Sequence, residues 1–478
     1  MKLAIFARDG RNLRRQRKQR LSSASGRRAL AASFVIVQLE ERILASGTPA
    51  PVPALHSRAG APVTLYLDFD GEPAEAWGFQ QVPATPAFDQ DGDATSFSSG
   101  ELSSIAAIWA RVAEAYAPFN IDVTTVDPDP VNHVYADHQA VRVVIGGDSS
   151  WTGVSAGGIS YTGAFTSFLQ ANTGYAFSSN LGGNVAWVAE SAMHEAGHMF
   201  GLSHQASYSG TTKTSEYNVG DASLAPIMGE TYWSARGTWW YGPTSAAYNS
   251  IQDDMAVIAS ASNGFGYRAD DHGNAIGSAA ALSVSGTSLS GSGVIETTAD
   301  SDVFSFSTTG GAVSLTAAVG SYVLGQTGSS SGATLDLRLE LRDAAGNLIT
   351  SADTASLGET ISANLAAGTY YLVVASHGNY GDVGTYSISG TAPQAVMSIV
   401  GDNEELAPVS TAQNVGGTVR PTKELSPVSR RVDRVAKRKE PWANFFSPPA
   451  VLGVKTVRAR IFAEALDSLK SRDAVALH

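Results

Sequence analysis

The chain contains no cysteine. That absence excludes disulfides, a thiol nucleophile, zinc-thiolate sites and a propeptide that would hold a metal through cysteine. It does not argue against export, because a chain with enough core needs no disulfide staples. Charge is also scarce: 16% of the 478 residues are Asp, Glu, Lys or Arg. Basic residues are scarcest in the body. Residues 60–400 carry 7 basic and 32 acidic side chains, a net of −25, while the two ends together carry 25 and 12, a net of +13. An acidic body argues against nucleic acid as a partner of the folded core. The apolar run at 29–37 is too short to cross a membrane, so no transmembrane span is expected. What is abundant is glycine, 48 residues, together with Ser and Thr. This composition favours β-rich, turn-rich, extracellular architecture, and the length suggests two or three domains.

One stretch carries chemistry: His194-Glu195-Ala196-Gly197-His198-Met199-Phe200-Gly201-Leu202-Ser203-His204. His194 and His198 are four residues apart, so on a helix they share a face and can reach one metal ion. Gly201 can adopt a left-handed conformation, end the helix and turn the chain so that His204 arrives as a third ligand. Three protein ligands leave one zinc position for water, the open arrangement of a hydrolytic site. Glu195 is placed to act as general base on the zinc-activated water. The plainer account, structural histidines on an ordinary helix, does not explain why the helix-ending glycine falls where the third ligand needs it.

The extended string resembles the metzincin metallopeptidases. A second family feature is similar: Ala225-Pro226-Ile227-Met228-Gly229 resembles the Met-turn, which in that family sets a methionine, here Met228, beneath the metal-binding histidines. The order Met-turn, Tyr232-Trp233, Gly-rich segment, Asp253-Asp254 is similar to the serralysin branch. The resemblance implies an α+β, zincin-like catalytic domain, a Zn2+ cofactor and a protein or peptide substrate. It also implies a zinc-proximal tyrosine that stabilises the oxyanion. In serralysins and astacins that tyrosine follows the methionine by two residues; here that position is Glu230, and Tyr232, four residues on, is the candidate, with a place in the cleft wall as the alternative. The glycine-rich calcium repeats of serralysins are absent from the sequence.

Within the expected catalytic domain, residues 60–263, strands are expected at 63–70, 121–126 and 141–145, and a helix at 101–116 capped by Ser98 or Ser99. The zinc helix is expected at 186–200 and a closing helix at 249–259. Residues 157–161 and 175–177 are candidates for a sheet edge that pairs with an extended substrate. The polar stretch 205–224 is long for a loop and suited to shaping a cleft. Asp89-Gln90-Asp91-Gly92-Asp93 offers calcium-type oxygen ligands but lacks the closing Glu of an EF-hand, and an acidic Gly turn is the plainer reading.

Residues 264–276 read as a linker. Residues 277–392 show period-two patterning at 303–307, 313–317, 335–341, 370–374 and 386–388, which implies an all-β sandwich. Asp300-Ser301-Asp302-Val303-Phe304-Ser305-Phe306 and the later Gly368-Thr369-Tyr370-Tyr371-Leu372-Val373-Val374 resemble the pre-peptidase C-terminal domain of secreted bacterial peptidases. That resemblance implies a role in secretion, stability or adhesion. Ca2+ is a second cofactor to consider, with Asp300 and Asp302 as donors beside the simpler account of acids flanking a strand.

The two ends are basic. Residues 1–59 begin with nine basic residues between Arg8 and Arg28, then a short apolar core and a Pro-rich linker, which reads as an export segment. Residues 393–478 form a flexible basic tail with a weak helix; attachment to a cell envelope through this tail or the β domain is one use for it. The expectation is a secreted or cell-surface bacterial zinc endopeptidase. The competing class is a non-catalytic, zinc-containing adhesion or envelope protein.

Overall fold

A computed structural model describes residues 51–320 and 333–395. The basic export run at 1–50 and the tail from 396 onward lie outside the described residues. The protein has more than one domain, and its C-terminal part is β-rich.

The N-terminal part is built on five strands. β1 (Val63–Asp68) is followed by a small hairpin, β2 (Glu75–Trp77) and β3 (Gln80–Val82), then α1 (Ser99–Tyr116), β4 (Ile121–Thr124), β5 (Ala140–Ile145), β6 (Gly158–Ile159), β7 (Thr173–Ala176) and α2 (Val185–Met199). The sheet order is β4-β1-β5-β7-β6. The first four are mutually parallel, and β6 alone runs antiparallel, on the outer edge beside β7. Alternation along the strands separates two faces. Leu65, Leu67, Val141, Val143 and Ile145 meet the buried side of α1 and α2. On the opposite face, Val144 and Tyr175 meet Trp77 of the hairpin. Arg142 interrupts this apolar strand, yet it is fully buried, with Glu72 at 2.5 Å, Glu75 at 2.7 Å and Asp68 at 3.4 Å.

α1 starts where a capping box forms: the Ser98 hydroxyl accepts from Glu101 N and the Glu101 carboxylate accepts from Ser98 N. Residues 55–58, within the stretch expected to be linker, lie along the free edge of β4, with Ser57 N donating to Val123 O at 3.0 Å.

After α2 the chain makes three short strand pairs: β8 (Ser207–Ser209) with β9 (Thr212–Ser215) and β12 (Tyr241–Pro243) with β13 (Ile251–Asp253), both antiparallel, and β10 (Leu224–Pro226) with β11 (Arg236–Thr238), which is parallel. The closing helix is shorter than its apolar spacing suggests. Only α3 (Asp254–Ile258) is helical; residues 251–253 pair with β12 instead, and Ile251 is exposed. Asp253 sets the start by accepting from Ala256 N. Residues 266–268 are pinned rather than loose, since Asn120 N donates to Gly266 O and Arg268 N to Pro118 O.

Among the described residues the C-terminal part holds ten strands: β14 (Ala280–Ala281), β15 (Ser283–Ser285), β16 (Ser288–Ile295), β17 (Ser301–Thr308), β18 (Gly311–Val319), β19 (Leu337–Arg342), β20 (Leu348–Ala352), β21 (Glu359–Leu365), β22 (Gly368–Ser376) and β23 (Gly384–Thr391). They form two five-stranded sheets, β14-β17-β22-β19-β20 and β15-β16-β23-β18-β21. Leu339, Leu341, Leu372 and Val374 from one sheet share a core with Leu315, Ile361 and Ile388 from the other.

This β unit is bolted to the N-terminal part by buried polar contacts. Arg236 donates to Asp382 at 2.9 Å and to the carbonyls of Ala333 and Thr334. Glu114 of α1 accepts from Thr385 N, and the Tyr380 hydroxyl donates to Asp253 at 2.6 Å. Among the described residues no helix is long and apolar enough to cross a membrane.

Candidate active site

Asn184 caps α2 by accepting from Trp187 N, and the helix runs to Met199. His194 and His198 stand one turn apart with ring centroids at 4.7 Å. Gly201 has φ +105°, and Leu202 N returns to Gly197 O at 3.0 Å, so the chain reverses at the helix end. This brings the His204 ring to 4.8 Å from His198 and 5.2 Å from His194. One ring nitrogen of each histidine lies within 4.8 Å of those of the other two.

The chemistry of this donor set fits a zinc ion. His194 Nδ1 lies 2.8 Å from Ile227 O, His198 Nδ1 2.7 Å from Leu202 O and His204 Nδ1 3.2 Å from a Glu216 oxygen. Carbonyl and carboxylate oxygens only accept, so each Nδ1 carries the proton and each Nε2 keeps its electron pair for a metal. Burial, reinforced by the neighbouring imidazoles, pushes His194 down to about 3 and His198 well below its usual range. The three outer contacts orient the rings, and burial keeps His194 and His198 neutral.

Glu195 is buried beside the histidines. Burial raises its carboxyl to about 8, against a lowering hydrogen bond from Ser160. The Ser160 hydroxyl lies 2.7 Å from Oε2. Gly158, on β6, leaves room for the same carboxylate: a Cβ there would fall 2.5 Å from Oε1.

Met228 is fully buried in a tight turn closed by Gly229 N to Pro226 O at 2.9 Å. Its sulfur packs against Gly197, which lies between the first two histidines and directly precedes His198. Tyr232 lines the cleft, with its main-chain oxygen accepting from the Trp187 indole and its hydroxyl over Gly157. It faces the β6 side, and burial together with nearby Glu195 raises its phenol. The cleft has a volume of about 200 Å³, and Leu181, Trp187, Ile227 and Trp233 supply much of its apolar wall.

Two residues in this site escaped the sequence reading. Glu216 holds His204; burial pushes its carboxyl up, but the contacts with His204 and Lys213 outweigh this and hold it at about 2. Tyr217 packs its ring 4.3 Å from His204 and 6.1 Å from His194, and burial raises its phenol. Both sit in the stretch after His204 that was expected only to shape a cleft. The one available signal was an acidic and an aromatic residue adjacent in a polar run.

A second cluster lies where the linker meets the β unit. Asp270, Glu296 and Asp300 bring oxygens within 4.8 Å of one another, and so do Asp270, Asp271 and Asp302. Glu296, Asp300 and Asp302 are buried. Glu296 Oε2, Asp300 Oδ1 and Asp302 Oδ1 have no hydrogen-bond partner among the described residues. Burial, with carboxylate neighbours, raises Glu296 to about 9 and Asp302 to about 8. Arg268 offers these acids its charge, 3.3 Å from Glu296 and 3.6 Å from Asp271. By contrast, Asp89 is used up in a turn: its Oδ1 accepts from Asp91 N and Gly92 N, and Glu101 beside it is taken by Gln90 N and Ser98.

Residues 300–376 match the bacterial pre-peptidase C-terminal domain. That domain spans the core strands β17 to β22 of the two sheets. Among solved structures, the chain is similar to the pre-peptidase C-terminal domain of a collagenase from Bacillus anthracis, at 16% identity, covering 24% of this chain and 96% of that one, with a TM-score of 0.18. It is also similar to PliG, a periplasmic inhibitor of g-type lysozyme from Aeromonas hydrophila, at 15% identity, covering 24% and 94%, with a TM-score of 0.18. No curated protein matches the chain.

Proposed function

We propose that the protein is a secreted bacterial zinc endopeptidase. Its catalytic domain, residues 60–263, is of the metzincin type, an α+β zincin-like unit followed by the β-sandwich of residues 277–392. The observation that carries this reading is the convergence of His194, His198 and His204 beside a buried Glu195 in one cleft. Met228 under the helix and the pre-peptidase domain downstream support it.

A zinc ion held by the three histidines supplies Lewis acidity and makes water a stronger nucleophile at neutral pH. The rest is done by side chains. Glu195 removes a proton from the attacking water and delivers it to the leaving nitrogen. Ile227 O, Leu202 O and Glu216 keep the imidazoles in the required tautomer. An extended peptide adds to β6, which is bonded to β7 on one side only. Tyr217, against His204, and Tyr232, across the cleft, are phenol donors suited to a developing oxyanion.

The acidic cluster around Asp302 serves a second, structural cation. Buried carboxylate oxygens without hydrogen-bond partners are costly unless a cation meets them, and hard oxygen donors suit Ca2+. Residues 1–59 provide export, and the β domain or the basic tail attaches the enzyme to the cell envelope.

The test uses the purified chain, a casein substrate and a chelator. Chelator-sensitive hydrolysis, restored by zinc and lost in Glu195→Gln, is the expected result. Bound zinc with no hydrolysis would instead assign the protein to the adhesion class.

A further inference from the structure

We propose that Ser160 is the positioning residue of the general base, fixing the Glu195 carboxylate in the orientation it needs; this rests on the peptidase reading above. The serine hydroxyl lies 2.7 Å from Glu195 Oε2 and 3.0 Å from Glu195 O. Glu195 has three rotatable side-chain bonds and is buried, so one strong hydrogen bond to a single oxygen selects among its rotamers. The other oxygen is directed by space. Gly158 and Ser160 are two residues apart on the edge segment and so face the same side, toward α2. At Gly158 a Cβ would meet Oε1 at 2.5 Å and Cγ at 2.7 Å. The edge segment therefore grips the carboxylate at both ends: a donor holds Oε2, and a missing side chain makes room for Oε1.

The position of Ser160 is itself constrained. It packs on Gly174 of β7, where an added Cβ would fall 2.9 Å from the Ser160 Cβ and 3.5 Å from Met199 Cε. The two acceptors also matter. A hydroxyl has one proton, and the main-chain oxygen of Glu195 gives it a second direction when the carboxyl is carrying the transferred proton. Because Ser160 directly follows β6, a peptide pairing with that strand lies beside the segment that aims the base.

Five proteins test this: the parent, Glu195→Gln, Ser160→Ala, Ser160→Thr and Gly174→Ala, each assayed for zinc content and for kcat and KM on one peptide. Misplacing a reacting group by about 1 Å costs on the order of 100-fold. Ser160→Ala is expected to lose that factor in kcat, with zinc content and KM near those of the parent. Ser160→Thr, which keeps the hydroxyl, recovers kcat. Gly174→Ala, which crowds Ser160 without removing its hydroxyl, lowers kcat in the same direction. If Ser160→Ala turns over like the parent, loses its zinc, or is matched in its defect by Ser160→Thr, the assignment is overturned. Should Glu195→Gln cleave as fast as the parent, the peptidase reading fails first; an inactive Glu195→Gln beside a fully active Ser160→Ala removes only the role of Ser160.

Discussion

Gly197 lies directly against the sulfur of Met228: a Cβ at 197 would fall 2.6 Å from Sδ. The contact joins the helix that carries two histidines to the turn whose Ile227 carbonyl orients His194. Gly197→Ala therefore overpacks a closed site, at a cost of about 1–3 kcal/mol. Lower thermal stability and weaker zinc retention are expected together, read by thermal denaturation and by metal content after dialysis. A variant melting and binding zinc like the parent would mean that Met228 moves aside freely.

Glu195→Gln keeps the size of the side chain and removes its basicity. Zinc content should stay at the parent level while turnover falls by at least the 10²- to 10⁴-fold typical of a lost general base. Peptide hydrolysis measured alongside metal content separates this outcome from a collapsed site.

Glu216 acts on His204 from outside the ligand set. Glu216→Ala should weaken zinc binding by about 10- to 100-fold, with little change in fold. Competition with a chelator of known affinity measures it. Unchanged affinity would show that the Nδ1 contact at 3.2 Å is incidental.

Burial raises Glu296 to about 9 and Asp302 to about 8. For a carboxyl raised on folding, the sign is clear. Stability is full below the unfolded value near 4 and declines as pH climbs through the folded values. Without divalent ions the protein should melt at lower temperature at pH 8 than at pH 5. Calcium binding the folded form should reverse this, with a larger gain at pH 8. Asp302→Asn should shrink that gain. A melting temperature indifferent to calcium at pH 8 would remove the structural-cation proposal.

Arg236 anchors the β unit through Asp382 and two carbonyls. Arg236→Ala leaves a buried carboxylate without its partner, a loss of about 3–5 kcal/mol. Denaturant titration should show it, together with faster proteolysis within 264–276.

The parts legible in the sequence are those whose signals are local. The register of His194 and His198, the Gly201 reversal, the Ser98 cap and the alternation of 303–307 and 370–374 each depend on a few neighbouring residues. What was not legible depends on distant partners. Glu216 and Tyr217 acquire meaning only once the chain folds back on His204. Arg142 reads as a flaw in a strand until Glu72, Glu75 and Asp68 surround it. The closing helix was read too long because Ile251, Met255 and Ile258 have helical spacing, yet the first of them pairs into β13 and faces solvent. Strands β15 and β20 were missed because neither presents a clean apolar face.

The carboxylate of Glu114, on a helix of the N-terminal part, is met by Thr385 and Thr334 of the β unit, while Arg236 reaches Asp382 across the same seam. Each half therefore carries ionic groups that the other half helps to satisfy. Transplanted onto a foreign partner, either half would bring a less well-matched charge to its new boundary, so a change on one surface asks for a matching change on the other.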